Sequence, residues 1–181
     1  HVLLEGNAGK IDDDKIKESI LNGKVPDGWY VHGRQGGENL DTGYVTQLTQ
    51  DVKTAETYAG AKGSVFAIEK PTTSWDATNK DNSDKLFNAI KRDTDKDIGP
   101  PSIEELYIIT MENANNNLEK AKEIFYNEIN PVNIVESAGF WDSGNDVINY
   151  FYEKTKKDFV KVRDGGAIAL NVAALRKIKV K

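Results

Sequence analysis

The sequence predicts an α+β fold: a split, mixed or antiparallel β core with a helical insertion. Three observations point there. Short runs rich in β-branched and aromatic residues, such as "WYVH" and "SVFAIE", are bounded by glycine and proline and read as strands. A stretch from about Thr72 to Pro131 is dominated by Asn, Asp, Lys and Glu and carries helical spacing instead. Helices and strands do not alternate in a regular strand–helix–strand order, which argues against a doubly wound sheet. At 181 residues the chain is most simply one domain, with 72–131 as the insertion.

The elements follow in order. "IDDDKIKESILNG" predicts a first helix, with Asp12 or Asp13 as its N-cap, Ile16 and Ile20 on one apolar face, and Gly23 just past its end. Trp29–His32 predicts a strand, and "GRQGGENLDTG" a loop. "YVTQLT" predicts a second strand, and "DVKTAETYAG" a short helix capped by Thr49 or Asp51 and stopped by Gly60. "SVFAIE" predicts a third strand, ended by Pro71. Within the insertion, "SDKLFNAIKR" and "NNNLEKAKEIFYNEI" predict helices, "GPP" at Gly99–Pro101 a break, and "ELYIITM" a strand or a helix, with the strand favoured. "GNDVINYFYEKTKK" predicts an amphipathic helix. "DFVKV" and "AIALN" predict strands around the turn "RDGG", and a helical "VAAL" leads to a final strand "KIKV".

Composition narrows the chemistry. The formal net charge of −5 argues mildly against a broad electrostatic grip on nucleic acid, while leaving room for a local basic patch. There is no cysteine, so disulfides, thiolate catalysis and zinc–thiolate sites are excluded. No apolar run is long enough to span a bilayer, so membrane insertion by this chain is not expected. The opening "HVLLEGNAGK" lacks a starting Met, which predicts a piece of a longer protein.

The only histidines are His1 and His32, so a histidine metal cluster is impossible and no metal is expected. "DTDKDIGPPSIE" imitates a calcium loop through Asp93, Asp95, Asp97 and Glu104, but Ile98 stands where that loop needs glycine. The nucleophile-elbow pattern G-x-S-x-G is absent, as are the P-loop and G-x-G-x-x-G. What remains is His32 beside Arg34, at the end of a hydrophobic strand and before a glycine-rich loop.

From Gly43 onward the chain resembles the ADP-ribosyltransferases. Their strand carrying an aromatic or hydroxyl residue, their helix "AxxYA" and their strand "GxVYxIE" are matched by "GYVTQ", "TAETYAG" and "GSVFAIE". Upstream, "YVHG" at Tyr30–Gly33 is similar to the "YHG" of the histidine branch, with one residue inserted. Another register places "LLEGN", Leu3–Asn7, in the first-strand position and makes "WYVHGR" an extra strand or loop over the site. The opening "HVLLEGN" is similar to the start of C-terminal toxin domains of polymorphic bacterial toxins.

The resemblance implies a secreted or delivered toxin or effector domain. It would use NAD as substrate, and either ADP-ribosylate a protein or nucleic-acid target in the cytoplasm or hydrolyse NAD. A cognate immunity protein is an implied partner. Such a site must pin NAD and stabilise the positive charge that grows on the ribose as the nicotinamide bond breaks. By resemblance, His32 holds the adenosine ribose or the phosphates, and Gly33 lets the backbone approach the amide. Arg34 pairs with the pyrophosphate, Thr46 lines the NAD site, and Tyr44 and Tyr58 form an aromatic wall. The family's glutamate on the late strands falls near Gly166 or Ala167 here, so Asp164 is the nearest acid, with Glu69 and Glu136 as other candidates.

Two other readings stay open. One is a metal-independent ribonuclease toxin that uses His32 as acid or base and Arg34 to hold phosphate. The other is a non-enzymatic interaction or immunity-type domain, which the acidic charge would suit.

Overall fold

The computed structural model describes residues 2–36, 46–129, 144–162 and 165–181. The α+β expectation holds: helices and two small β-sheets make up the described residues. The chain divides into two compact units, one comprising 1–42, 48–72 and 173–181, the other 43–47 and 73–172.

The first unit opens with α1, Val2–Leu21. This helix begins earlier than the charged segment suggested, so Asp12 and Asp13 lie inside it rather than capping it. Leu3–Asn7 is helical too, which removes the register that made it a strand. Ile20 is buried and Ile16 packs beside it, as their one-turn spacing requires. The helix ends at Gly23, whose positive φ of 87° lets the N–H of Lys24 reach back to the carbonyl of Ser19.

Strand β1, Trp29–Arg34, then runs antiparallel to β3, Ser64–Glu69, which runs antiparallel to β7, Lys177–Lys179. Thr49 adds an isolated bridge to Val31. Between β1 and β3 lies α2, Val52–Ala59, capped by Asp51, whose carboxylate accepts from the N–H of Lys53 and the hydroxyl of Thr54. The Thr54 hydrogen bond is the main force holding the Asp51 carboxyl below its ordinary range. The core of this unit is Ile20, Trp29, Val31, Val52, Ala55, Ala59, Val65, Ala67 and Ile178.

The second unit is built on helices: α3, Lys80–Asp95; α4, Pro101–Asn113; α5, Leu118–Asn127; and α6, Gly144–Thr155. Its sheet has the order β2–β6–β5–β4, from Thr46–Leu48, Ala167–Ala169, Phe159–Lys161 and Trp75–Asp76. The β4–β5 pair is parallel and β5–β6 antiparallel, so this sheet is mixed. A 3₁₀ turn, Val172–Ala174, precedes β7. Phe87, Phe125 and Phe151 are fully buried in one cluster with Ile90, Ile103 and Ile168.

The expected strand "ELYIITM" is helical. Pro101 occupies the first position of α4, where its missing N–H costs nothing and its fixed φ suits a helix. Ile103 and Thr110, seven residues apart, are buried, while Ile108 and Ile109 are exposed. That burial follows a helical rather than a two-residue period.

Candidate functional site

Side chains alternate along β1, and packing fixes which face is which. Trp29 and Val31 belong to the core shared with α2. Gly33 has the same parity. A Cβ built on it would lie 1.7 Å from the carbonyl oxygen of Ala55 and 2.9 Å from the nitrogen of Ala59. Tyr30, His32 and Arg34 therefore point to the other face of the sheet. His32 stands opposite Phe66 and Arg34 opposite Ser64. On the far side of β3, Lys179 is opposite Phe66 and Lys177 opposite Ile68. One face of the sheet thus carries His32 and Arg34 on one edge strand and Lys177 and Lys179 on the other. Tyr30, Phe66 and Ile68 between them are buried. His32 and Arg34 are half-buried, about 7 Å apart along the strand, and each is engaged in an interaction within the protein.

Gly33 has a structural assignment besides the expected one. Its missing side chain is what allows α2 to rest on β1. Gly63 does the same at the other end, where an added Cβ would lie 1.9 Å from the carbonyl oxygen of Ala59. "AETYA" presents its alanines, Ala55 and Ala59, to these two glycines. Three of the motif segments, "YVHG", "TAETYAG" and "GSVFAIE", thus fold into one β1–α2–β3 unit held by direct backbone approach, while the described end of "GYVTQ" lies in β2 of the second sheet.

Tyr58 departs from expectation. The resemblance implies an aromatic wall of Tyr44 and Tyr58, but Tyr58 is 61% exposed. It rides on α2, on the opposite side of the sheet from His32 and Arg34. The alanines on either side of it occupy the inner face, and the helical turn carries Tyr58 outward. Thr46 begins β2, in the second sheet. Tyr44, Asp164 and Glu136 lie outside the described residues. Glu69, the alternative acid, is committed elsewhere: its carboxylate accepts from Arg176 at 3.1 Å. Arg176 also pairs with Asp13 and lies over the ring of Trp29, 5.3 Å from its centre. The Glu69 hydrogen bond is the main force raising the Arg176 guanidinium above its ordinary pKa.

The second unit holds a charged cluster that spacing could not reveal. Asp93, in the last turn of α3, is 3% exposed. It accepts from the hydroxyl of Tyr150 at 2.8 Å and pairs with Lys154 at 2.7 Å, both on α6. Burial pushes its carboxyl up, but these two hydrogen bonds, with the charges of Lys154 and Arg92, bring it below the ordinary range. Burial, followed by the hydrogen bond to Asp93, drives the Tyr150 hydroxyl far above its ordinary pKa. The first acid of the calcium-like segment thus serves as a counter-ion between helices. Asp95, the next, pairs with Lys91 on its own helix. Among the described residues no group of three or more histidines or carboxylates could hold a metal.

In comparisons with protein-family models, curated proteins and solved structures, nothing matches this chain. Function must therefore be read from the residues themselves.

Proposed function

We propose that this chain is a toxin or effector domain that binds NAD and transfers ADP-ribose to a macromolecular target, or hydrolyses NAD, through the β1 face that carries His32 and Arg34. One observation carries the reading. His32 and Arg34 project together, half-buried, from the face of β1 that α2 does not cover, on a sheet whose opposite edge adds Lys177 and Lys179. A histidine that hydrogen-bonds a ribose hydroxyl and a planar guanidinium that forks onto a pyrophosphate are complementary to the two ends of a phosphoribose unit. Support also comes from "YVHG", "TAETYAG" and "GSVFAIE", which fold as one β1–α2–β3 unit.

In this reading the nicotinamide–ribose bond breaks, nicotinamide leaves, and a nucleophile on the target, or water, attacks the ribose carbon and gives up its proton. Glu69 is held by Arg176, so Asp164 is the acid assigned to stabilise the ribosyl cation. Thr46 and Tyr44 keep the NAD-contacting roles that the resemblance implies for them. Tyr58 is left out of it.

The test is nicotinamide release from NAD by the purified chain, with and without cell lysate. His32→Ala and Arg34→Ala are each expected to lower release by on the order of 10²-fold, the usual cost of one charge-stabilising donor. Melting curves of both variants beside the parent separate a loss of release from a loss of fold. Release that rises with lysate marks a transferase. No release, together with no NAD-induced rise in melting temperature, refutes NAD chemistry. Cleavage of total RNA would then be tested as the ribonuclease alternative.

A further inference from the structure

We infer that a groove on α3 is a second ligand site, one that binds a phosphate attached to a planar aromatic group, the chemistry of a nucleoside monophosphate. Lys85, Asn88, Ala89 and Arg92 form a single stripe of α3, spaced three, four and seven residues apart. With Trp75 of β4 and Lys154 of α6 they line a cavity of about 420 Å³, within the range of small-molecule sites. Among the described residues the cavity wall carries three cations and no acid, in a chain whose net charge is −5. Lys154 shares its charge with Asp93, which is buried outside the cavity wall. Arg92 lies 3.9 Å from the same carboxylate and is 59% exposed, and Lys85 is exposed, so both can turn toward an anion in the groove.

Trp75, Leu86 and Ala89 give the wall its apolar and aromatic part. An indole beside two accessible cations suits a base that stacks and a phosphate that pairs. Asn88 adds both a donor and an acceptor for a base edge. The indole N–H of Trp75 is buried and has no hydrogen-bond partner among the described residues, an uncommon condition for a buried donor. This site is separate from the β1 face and does not depend on NAD chemistry there.

The test is a titration of the full ¹⁵N-labelled chain with adenosine monophosphate, inorganic phosphate and hexaglutamate, read at the Trp75 indole N–H signal. Trp75→Phe assigns that signal. The expected result is a saturable shift with adenosine monophosphate, at least tenfold tighter than with inorganic phosphate. It should weaken at least tenfold in Lys85→Gln/Arg92→Gln and persist in His32→Ala. Lys85 and Arg92 are exposed, so the double variant should stay folded, and an unchanged melting temperature checks it. The inference is overturned by the absence of a saturable shift, or by equal affinity for inorganic phosphate or hexaglutamate. A response unchanged in the charge-neutralised variant, or one lost in His32→Ala, would overturn it too.

Discussion

In the β1–β3–β7 unit the charged residue that ties elements together, Arg176, keeps 44% of its side chain in water. In the helical unit the residue with that task, Asp93, is 3% exposed and meets Lys154 and Tyr150 in the interior. Each links elements distant in sequence, yet the physics differs. An exposed pair gains little, because water and salt screen it. A buried carboxylate has lost its hydration, so its partners must replace it, and removing one side strands the other. The comparison teaches that the first unit is held by shape, with Gly33 and Gly63 admitting α2, while the second is held by an apolar cluster that encloses a charge.

The largest effect is therefore expected at Asp93. Asp93→Ala leaves Lys154 and the Tyr150 hydroxyl without their shared acceptor and should cost about 3–5 kcal/mol. That corresponds to a fall in melting temperature of roughly 10 °C or more for a chain of this size. Acid sharpens the point. The folded carboxyl titrates below its unfolded value, so its contribution is complete above that value, about pH 4, and is lost as pH falls through it toward the folded pKa. Melting curves between pH 3 and 7 should show a steeper acid decline in the parent than in Asp93→Ala. Equal declines would mean that the pair does not stabilise the unit.

The next effect tests shape instead of charge. A methyl group at Gly33 would overlap the carbonyl oxygen of Ala55, so Gly33→Ala must push α2 off the sheet. Forcing atoms into a packed interior costs about 1–3 kcal/mol. Hydrogen exchange should quicken in α2 and β1 and stay unchanged in α3 and α6. Faster exchange across both units would deny that the first is held locally by this contact.

These two sites also show what the sequence could and could not reveal. β1, α2 and β3 were legible because their signals are local: β-branched runs, an aspartate cap and glycine stops within a few residues. The helix over "ELYIITM" is hard to see in the sequence because two isoleucines and a tyrosine favour strands, whereas Pro101 and the seven-residue spacing of the buried Ile103 and Thr110 suit a helix. The first turns of α1 lack apolar periodicity, so only its later part stands out. The Asp93 cluster was invisible because Tyr150 lies 57 positions away, and only the packing of α3 and α6 joins them. For the candidate site, the pairing of His32 with Arg34 was legible from strand parity. The exposure of Tyr58 was not, because a short helix bearing both alanines and a tyrosine can bury either. Ala55 and Ala59 are on the inner face because Gly33 and Gly63 leave room only for backbone.

The smallest effect belongs to Arg176, and its dependence on salt separates the two units most cleanly. Arg176→Ala removes the pairs with Glu69 and Asp13 and the contact over Trp29. Exposed pairs of this kind are worth about 1 kcal/mol or less, so the melting temperature should fall by only about 2–4 °C. The Debye length shrinks from about 8 Å at physiological salt to about 3 Å at 1 M, so added salt should close the part of that gap owed to the ion pairs. The part owed to the Trp29 ring, about 0.5–1 kcal/mol at an exposed site, should survive in Arg176→Lys better than in Arg176→Ala, because an ammonium still reaches the ring while losing the planar fork. Salt should leave the Asp93→Ala gap almost unchanged, because ions cannot enter between α3 and α6. If instead 1 M salt narrowed both gaps alike, the carboxylate of Asp93 would have to be in contact with solvent, and the division between a screened clamp and an enclosed one would fail.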